Sequence, residues 1–154
     1  LTRLALYRNT GFEDRAPFLL TLHLTRITQH KFDFFVNVFI IVLYKPNNKI
    51  LSTNNAVLTA ESIALQAQSG IGNSSSDPFL SAATTLAASS INNDIYISNT
   101  GNTTIGTVNT VTGITAPGTI QVLANSPLTV TSPVTRNEGG DILLAAQGNA
   151  ATDD

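Results

Sequence analysis

The 154-residue chain contains no cysteine, no methionine and no tryptophan. Without cysteine, a disulfide scaffold and a thiolate zinc site are both excluded. Charge is scarce as well. Asp, Glu, Lys and Arg make up 12% of residues, about half the ~25% of ordinary globular domains. The formal net charge is −2, so nothing in the overall charge attracts nucleic acid. The longest apolar run, residues 34–44, is interrupted by Asn37. It falls well short of the ~20 residues a membrane-spanning helix needs. It also starts too late for a secretory signal, and no small-residue cleavage site follows it. The length suits one domain with a real core.

What charge and aromatic content there is lies at one end. Residues 1–50 hold seven bases (Arg3, Arg8, Arg15, Arg26, Lys31, Lys45, Lys49) against three acids (Glu13, Asp14, Asp33), a net +4. They also hold both histidines and eight of the ten aromatics. Residues 51–154 have one base, Arg136, against seven acids, a net −6, and only Phe79 and Tyr96 as aromatics. Such a shift marks a boundary between units. Residues 45–49 (Lys-Pro-Asn-Asn-Lys) form the expected turn or linker. The chain therefore divides into a basic, aromatic-rich segment, 1–50, and a Thr/Ala/Ser/Asn-rich segment, 51–154.

In the first segment, Leu20, Leu22 and Leu24 alternate with Thr21, His23 and Thr25, which predicts a strand. The β-branched and aromatic content of 34–44 also favours a buried strand over a helix. Two other readings stand beside this. Arg26, Lys31, Lys45 and Lys49 flank the apolar run as they would flank a membrane-interface anchor. The abrupt change of composition also fits a lead-in that is not native coding sequence; an intact reading frame across codons 45–60 of the transcript removes that idea.

The second segment is a degenerate repeat. Residues 62–67, 94–99, 119–124 and 141–146 each read polar, Ile, any, aliphatic, any, small. Turn-forming Gly, Asn, Ser or Pro follows each within a few positions. The period of two places Ile63/Leu65/Ala67, Ile95/Ile97, Ile120/Val122/Ala124 and Ile142/Leu144/Ala146 on inward faces. Ile71, Ile95, Ile120 and Ile142 recur at steps of 24, 25 and 22 residues. Ile63, Leu86, Ile105, Leu128 and Ala150 recur at 23, 19, 23 and 22. These steps are too long for hairpins and too short for strand–helix–strand units, which take ~30 residues. They match one turn of a β-solenoid, with like residues stacked above like in parallel strands. The expected architecture is all-β: a right-handed parallel β-helix of about four coils over 51–154. Large aromatics are not expected inside so narrow a coil. The competing architecture, an antiparallel sandwich of the same strands, is disfavoured because the period is long and no Asn-Gly or Asp-Gly hairpin dipeptide occurs. Residues 79–91 open on Asp77-Pro78, a helix-start signal. Their Thr/Ser content and the place of Leu86 in the second series favour a strand over 84–89.

Residues 93–109 (NDIYISNTGNTTIGTVN), 115–122 (TAPGTIQV), 139–149 (GGDILLAAQGN) and 67–78 (AQSGIGNSSSDP) resemble the repeats of large bacterial surface proteins of the filamentous-haemagglutinin type. The resemblance covers about 56–154. It implies a β-helix within a long exported adhesin, carried across the outer membrane by a dedicated secretion partner. The Asn-Pro-containing secretion module of that family has no match in 1–50. The chain is therefore expected to be an interior slice, extracellular or at the cell surface, with open solenoid ends prone to self-association.

Chemistry-bearing constellations are few. His23 and His30 lack an evident carboxylate partner for a metal. Asp94 and Asp141 each precede the inward Ile of a repeat, where a carboxylate caps backbone amides. Polysaccharide-processing β-helices need clustered acids or bases on one exterior face, and Arg136 alone does not supply them. Gly70-Ile71-Gly72 lacks the third glycine and the following helix of a dinucleotide loop. Gly139-Gly140-Asp141 runs into a strand rather than into a calcium-binding nonapeptide. Asp153-Asp154 is too little for a calcium site. Asn73 and Asn102 begin glycosylation-type triplets that recur by chance in such a composition. The expectation is a non-enzymatic adhesive segment with no catalytic residues, cofactor or metal. Its partner would be a host or neighbouring cell surface, not nucleic acid, and recognition would be spread over Thr, Asn and Ser. The alternatives are a β-helical polysaccharide-processing enzyme fragment and the membrane-interface module.

Overall fold

The computed structural model describes residues 2–5, 19–25, 38–125 and 127–148, with side chains from residue 40 onward. Among these residues there is no helix. The chain runs β1 (Thr2–Ala5), β2 (Leu19–Thr25), β3 (Val38–Lys45), β4 (Leu58–Ala67), β5 (Phe79–Ser90), β6 (Ile95–Asn99) and β7 (Thr103–Ile105). It continues through β8 (Thr107–Val108), β9 (Val111–Thr112), β10 (Ile114–Ala116), β11 (Ile120–Asn125), β12 (Leu128–Val130), β13 (Val134–Arg136) and β14 (Ile142–Gln147).

From β3 onward the strands wind into a β-solenoid of about five turns. Every pairing between coils is parallel, so residues stack in register about 4.8 Å apart. Three inward columns result. On the first face Ile50, Ile71, Ile95, Ile120 and Ile142 stand one above the next. On the second, Ile41, Ile63, Leu86, Ile105 and Val130 do so. On the third the series is Leu43, Leu65, Ala88, Ile114 and Val134. The middle members are fully enclosed and join one core. Each buried Ile or Leu is worth roughly 2 kcal/mol of transfer free energy.

The first expected series is thus realised residue for residue. The second needs correction at its far end: Ile105 pairs with Val130, and Leu128 pairs with Thr103. The reason is geometric. Thr103 and Leu128 each lie eight residues past their first-face isoleucines, so equal corners bring Ile105 and Val130 into register. Ala150 lies outside the described residues. Residues 79–90 settle as strand, and β5 is longer than expected: it pairs on the first face as far as Ser81 and on the second from Thr85.

Three further features depart from the sequence expectation. Phe79 is an inward aromatic, 4% exposed and part of the core. It fits because β4 pairs with β5 only from Leu58↔Ser81 onward, so no strand of the preceding coil stands opposite it. Secondly, β8 and β9 form an antiparallel hairpin turned through Asn109 at φ 55°. It is inserted between β7 and β10, and its Val108 and Val111 cover the outward side chains of Val42, Ala64 and Ala87. Small residues there leave room for it. Gly113 returns the chain to the coil at φ 67°, where a Cβ would collide with Pro133 O. Lastly, the terminal coil does not fully bury its inward residues: Ile142 is 43% exposed, with no coil above it among the described residues.

Before the first coil, β1 pairs antiparallel with β2, and β2 antiparallel with β3. Leu20, Leu22 and Leu24 lie on β2, and residues 38–44 lie on β3, as the alternation and the β-branched content predict. Residues 34–37 are outside the described set. β3 and β4 pair in parallel, one coil apart, and residues 46–57 connect them.

Candidate functional surface

Because side chains alternate across each strand, a parallel solenoid displays its outward residues in ladders. On the second face one ladder runs Ser62, Thr85, Thr104, Thr129. On the third another runs Tyr44, Gln66, Ser89, Thr115, Thr135. The hairpin sits between them, over the Ala64–Ala87 column. Its strands carry further hydroxyls: Thr107 Oγ1 is bonded to Thr112 Oγ1 at 3.3 Å and lies 3.4 Å from Ser132 Oγ. None of these ladder residues is charged. The first face is different in character, with Tyr96, Gln121 and Leu143 in one outward ladder and Leu80, Ser98, Leu123 and Ala145 in another.

The corner entering the first face is held by Asp94. Its Oδ1 accepts the amide of Thr119 in the next coil at 2.6 Å, and its Oδ2 accepts the Tyr96 hydroxyl at 3.1 Å. This is the amide-capping role expected of an acid before the repeat isoleucine. Gly118 makes room for it, since a Cβ there would collide with Asp94 Oδ1. Partial burial, the hydrogen bond donated to Asp94 and the carboxylate's negative charge together raise the Tyr96 phenol above its ordinary value. Asp141 holds the equivalent place in the last coil. There its backbone carbonyl accepts the Ile120 amide at 2.9 Å, and its side chain is exposed.

The corner leaving the first face is held by Asn99, 2% exposed. Its Oδ1 accepts the Ser81 hydroxyl at 2.9 Å and the Ala83 amide at 2.8 Å, and its Nδ2 donates to Ala83 O at 3.1 Å. A side-chain amide thus supplies both halves of a backbone pairing where β5 passes from β6 to β7. Sequence reasoning missed Asn99. The signal was present as an alternating strand ending in Asn just before Thr100-Gly101.

The remaining candidates are scattered. His23 lies on β2, and His30, Asp153 and Asp154 are outside the described residues. Among the described residues, no group of three or more His, Cys, Asp or Glu side chains is placed to hold a metal ion. No helix among them is long and apolar enough to cross a membrane. Gly70 sits at φ 116° in the corner before Ile71, a turn as expected. Asn73 and Asn102 are exposed. The fold and surface together define a β-solenoid with polar, uncharged ladders. No protein-family model, curated protein or solved structure matches the chain.

Proposed function

We propose that this chain is a non-enzymatic, adhesive stalk segment of an exported bacterial surface protein of the filamentous-haemagglutinin type. The observation that carries the reading is the pair of neutral outward ladders, Ser62–Thr85–Thr104–Thr129 and Gln66–Ser89–Thr115–Thr135. A stack of coils holds such groups at a fixed spacing along its axis, so many weak hydrogen bonds act together on an extended surface ligand. Hydroxyl and amide groups suit neutral partners such as cell-surface glycans or peptide backbone. Asp94, at a corner, holds structure by accepting the Thr119 amide rather than lining a cleft.

The test uses beads coated with the chain and applied to epithelial and bacterial cells. Adhesion above albumin-coated beads is expected. A Thr104→Glu/Thr115→Glu variant with an unchanged circular dichroism spectrum is expected to lower it several-fold. No adhesion above the albumin control overturns the reading. Release of reducing ends or unsaturated products from a polysaccharide panel replaces it with the enzyme reading. Flotation of the chain with lipid vesicles replaces it with the interface-anchor reading.

A further inference from the structure

The chain has six prolines, and Pro78 alone follows an aspartate. The peptide bond between Asp77 and Pro78 combines two chemical features. Its nitrogen is a tertiary amide nitrogen, more basic than that of an ordinary peptide and so easier to expel. The Asp77 carboxylate can reach its own backbone carbonyl carbon by closing a five-membered ring. Neither feature alone makes such a bond reactive near neutral pH; its surroundings decide.

The bond lies in a loop that leaves the first face after Ile71 and returns at Phe79. Gly72, at φ 72°, turns the chain outward. A tight turn from Ser74 to Asp77 follows, closed by the Asp77 amide, which donates to Ser74 O at 3.2 Å. The successive amides of Asn73 and Ser74 both donate to the Asp77 carbonyl oxygen, at 2.9 and 3.3 Å. Consecutive backbone amides aimed at one oxygen make an anion-binding concavity. Here that oxygen belongs to the Asp–Pro bond, so the pair stands where negative charge develops when the carbonyl is attacked. Hydrogen bonds to a carbonyl lie near its plane and leave its two faces free. Asp77 is exposed, and among the described residues its carboxylate enters no hydrogen bond or ion pair. On the other side of the bond the chain is anchored by Phe79, 4% exposed in the core.

We infer that the chain cuts itself between Asp77 and Pro78, with the Asp77 carboxylate as nucleophile. One Oδ bonds to the Asp77 carbonyl carbon, and the Asn73 and Ser74 amides hold the oxyanion that forms. Collapse of this intermediate breaks the bond to Pro78 N, which takes a proton from the solvent. A cyclic anhydride of Asp77 remains, and one water molecule opens it to two carboxyl groups. The net reaction is hydrolysis, without change of oxidation state. One peptide bond and one water give residues 1–77, ending in a carboxylate, and residues 78–154, beginning with a secondary amine. The pieces stay stacked, because β4 and β5 pair from Leu58↔Ser81 to Ala67↔Ser90. The cut thus breaks the covalent chain between two coils and leaves the hydrogen-bonded stack standing. The reaction involves this loop alone and is independent of the outward ladders.

The experiment incubates the purified chain in neutral to weakly acidic buffers in which circular dichroism shows the fold retained. Intact mass and sequencing of the new amino terminus follow the cut. A synthetic peptide of residues 72–83, whose loop is unsupported, is incubated alongside. The chain is expected to yield residues 1–77 and 78–154 at least about tenfold faster than the peptide is cut, because the fold alone aligns the two amides. In oxygen-18 water the label is expected in both the α- and the β-carboxyl of Asp77, since an anhydride opens at either carbonyl. Direct attack by water labels the α-carboxyl alone. Asp77→Asn removes the nucleophile and Pro78→Ala the basic leaving nitrogen, and each is expected to slow the cut at least about tenfold with the spectrum unchanged. A chain that stays intact overturns the inference, as do equal rates in chain and peptide. Label confined to the α-carboxyl, or undiminished cutting of Asp77→Asn, overturns it too.

Discussion

At the residue scale the structure depends on a few polar side chains that satisfy backbone at the corners. Asn99 is the clearest. It occupies the place where β5 turns, and it bonds both polar groups of Ala83 together with the Ser81 hydroxyl. Truncation leaves these buried groups without partners. Asn99→Ala is therefore expected to destabilise the fold by roughly 2–4 kcal/mol, because each orphaned buried group costs about 1–3 kcal/mol. Urea unfolding of the two proteins measures the difference; a loss under half a kilocalorie would show that water replaces the amide. Tyr96 gives a pH-dependent expectation. Its phenol is raised in the folded chain, first by desolvation and then by the bond to Asp94. A group whose folded value lies above its unfolded value stabilises below the unfolded value. That contribution is lost as pH climbs through the folded one. Stability is thus expected to fall above the ordinary tyrosine range, and Tyr96→Phe is expected to flatten that fall in urea melts between neutral and strongly alkaline pH. Equal alkaline losses in both proteins would refute it.

At the scale of elements the informative one is the β8–β9 hairpin. In a solenoid each coil touches its immediate neighbours, and stability is close to a sum of nearest-neighbour terms. The hairpin departs from this pattern. It belongs to the coil of β7 and β10, yet Val108 and Val111 pack on Ala87, Ala64 and Val42, which lie on β5, β4 and β3. It therefore couples non-adjacent coils. Val111, 4% exposed, is the residue to change: Val111→Ser is expected to cost about 1–2 kcal/mol of lost apolar burial. Hydrogen exchange is expected to quicken at β3 and β4 as well as at the hairpin. Quickening confined to residues 107–112 would mean that the hairpin is a passive decoration. The sequence carried a trace of this element in the alternation Thr107-Val108-Asn109-Thr110-Val111-Thr112, bracketed by Gly106 and Gly113. Seeking Asn-Gly or Asp-Gly missed it, because Asn109 reaches its positive φ without a glycine beside it.

Across the whole molecule stability is graded along the axis. Ile63, Leu65, Leu86, Ile95 and Ile97 are all 0% exposed, whereas the inward residues of β14 are open on one side. Amide protection is expected to be highest in β4, β5 and β6 and to fall toward β14, as end coils fray first. The melting midpoint of the monomer is expected below ~70 °C, within or just above the ordinary range for domains of this size. A cooperative monomeric melt above that, with uniform protection, would contradict the graded picture.

The periodic part of the architecture was legible in one dimension. A period of two sorted inward from outward residues, and steps of 22–25 residues placed Ile71, Ile95, Ile120 and Ile142 in one column. Both signals are local or regular, and parallel stacking turns them directly into contacts. Tertiary structure alone decided the rest. The offset of Ile105 onto Val130 follows from corner lengths, and the room for Phe79 from a strand missing opposite it. The hairpin's seat on Ala64 and Ala87, and the amide of Asn99 standing in for backbone, join residues far apart in the chain. Periodicity tells which way a side chain points. What it meets there depends on how the coils come together in space.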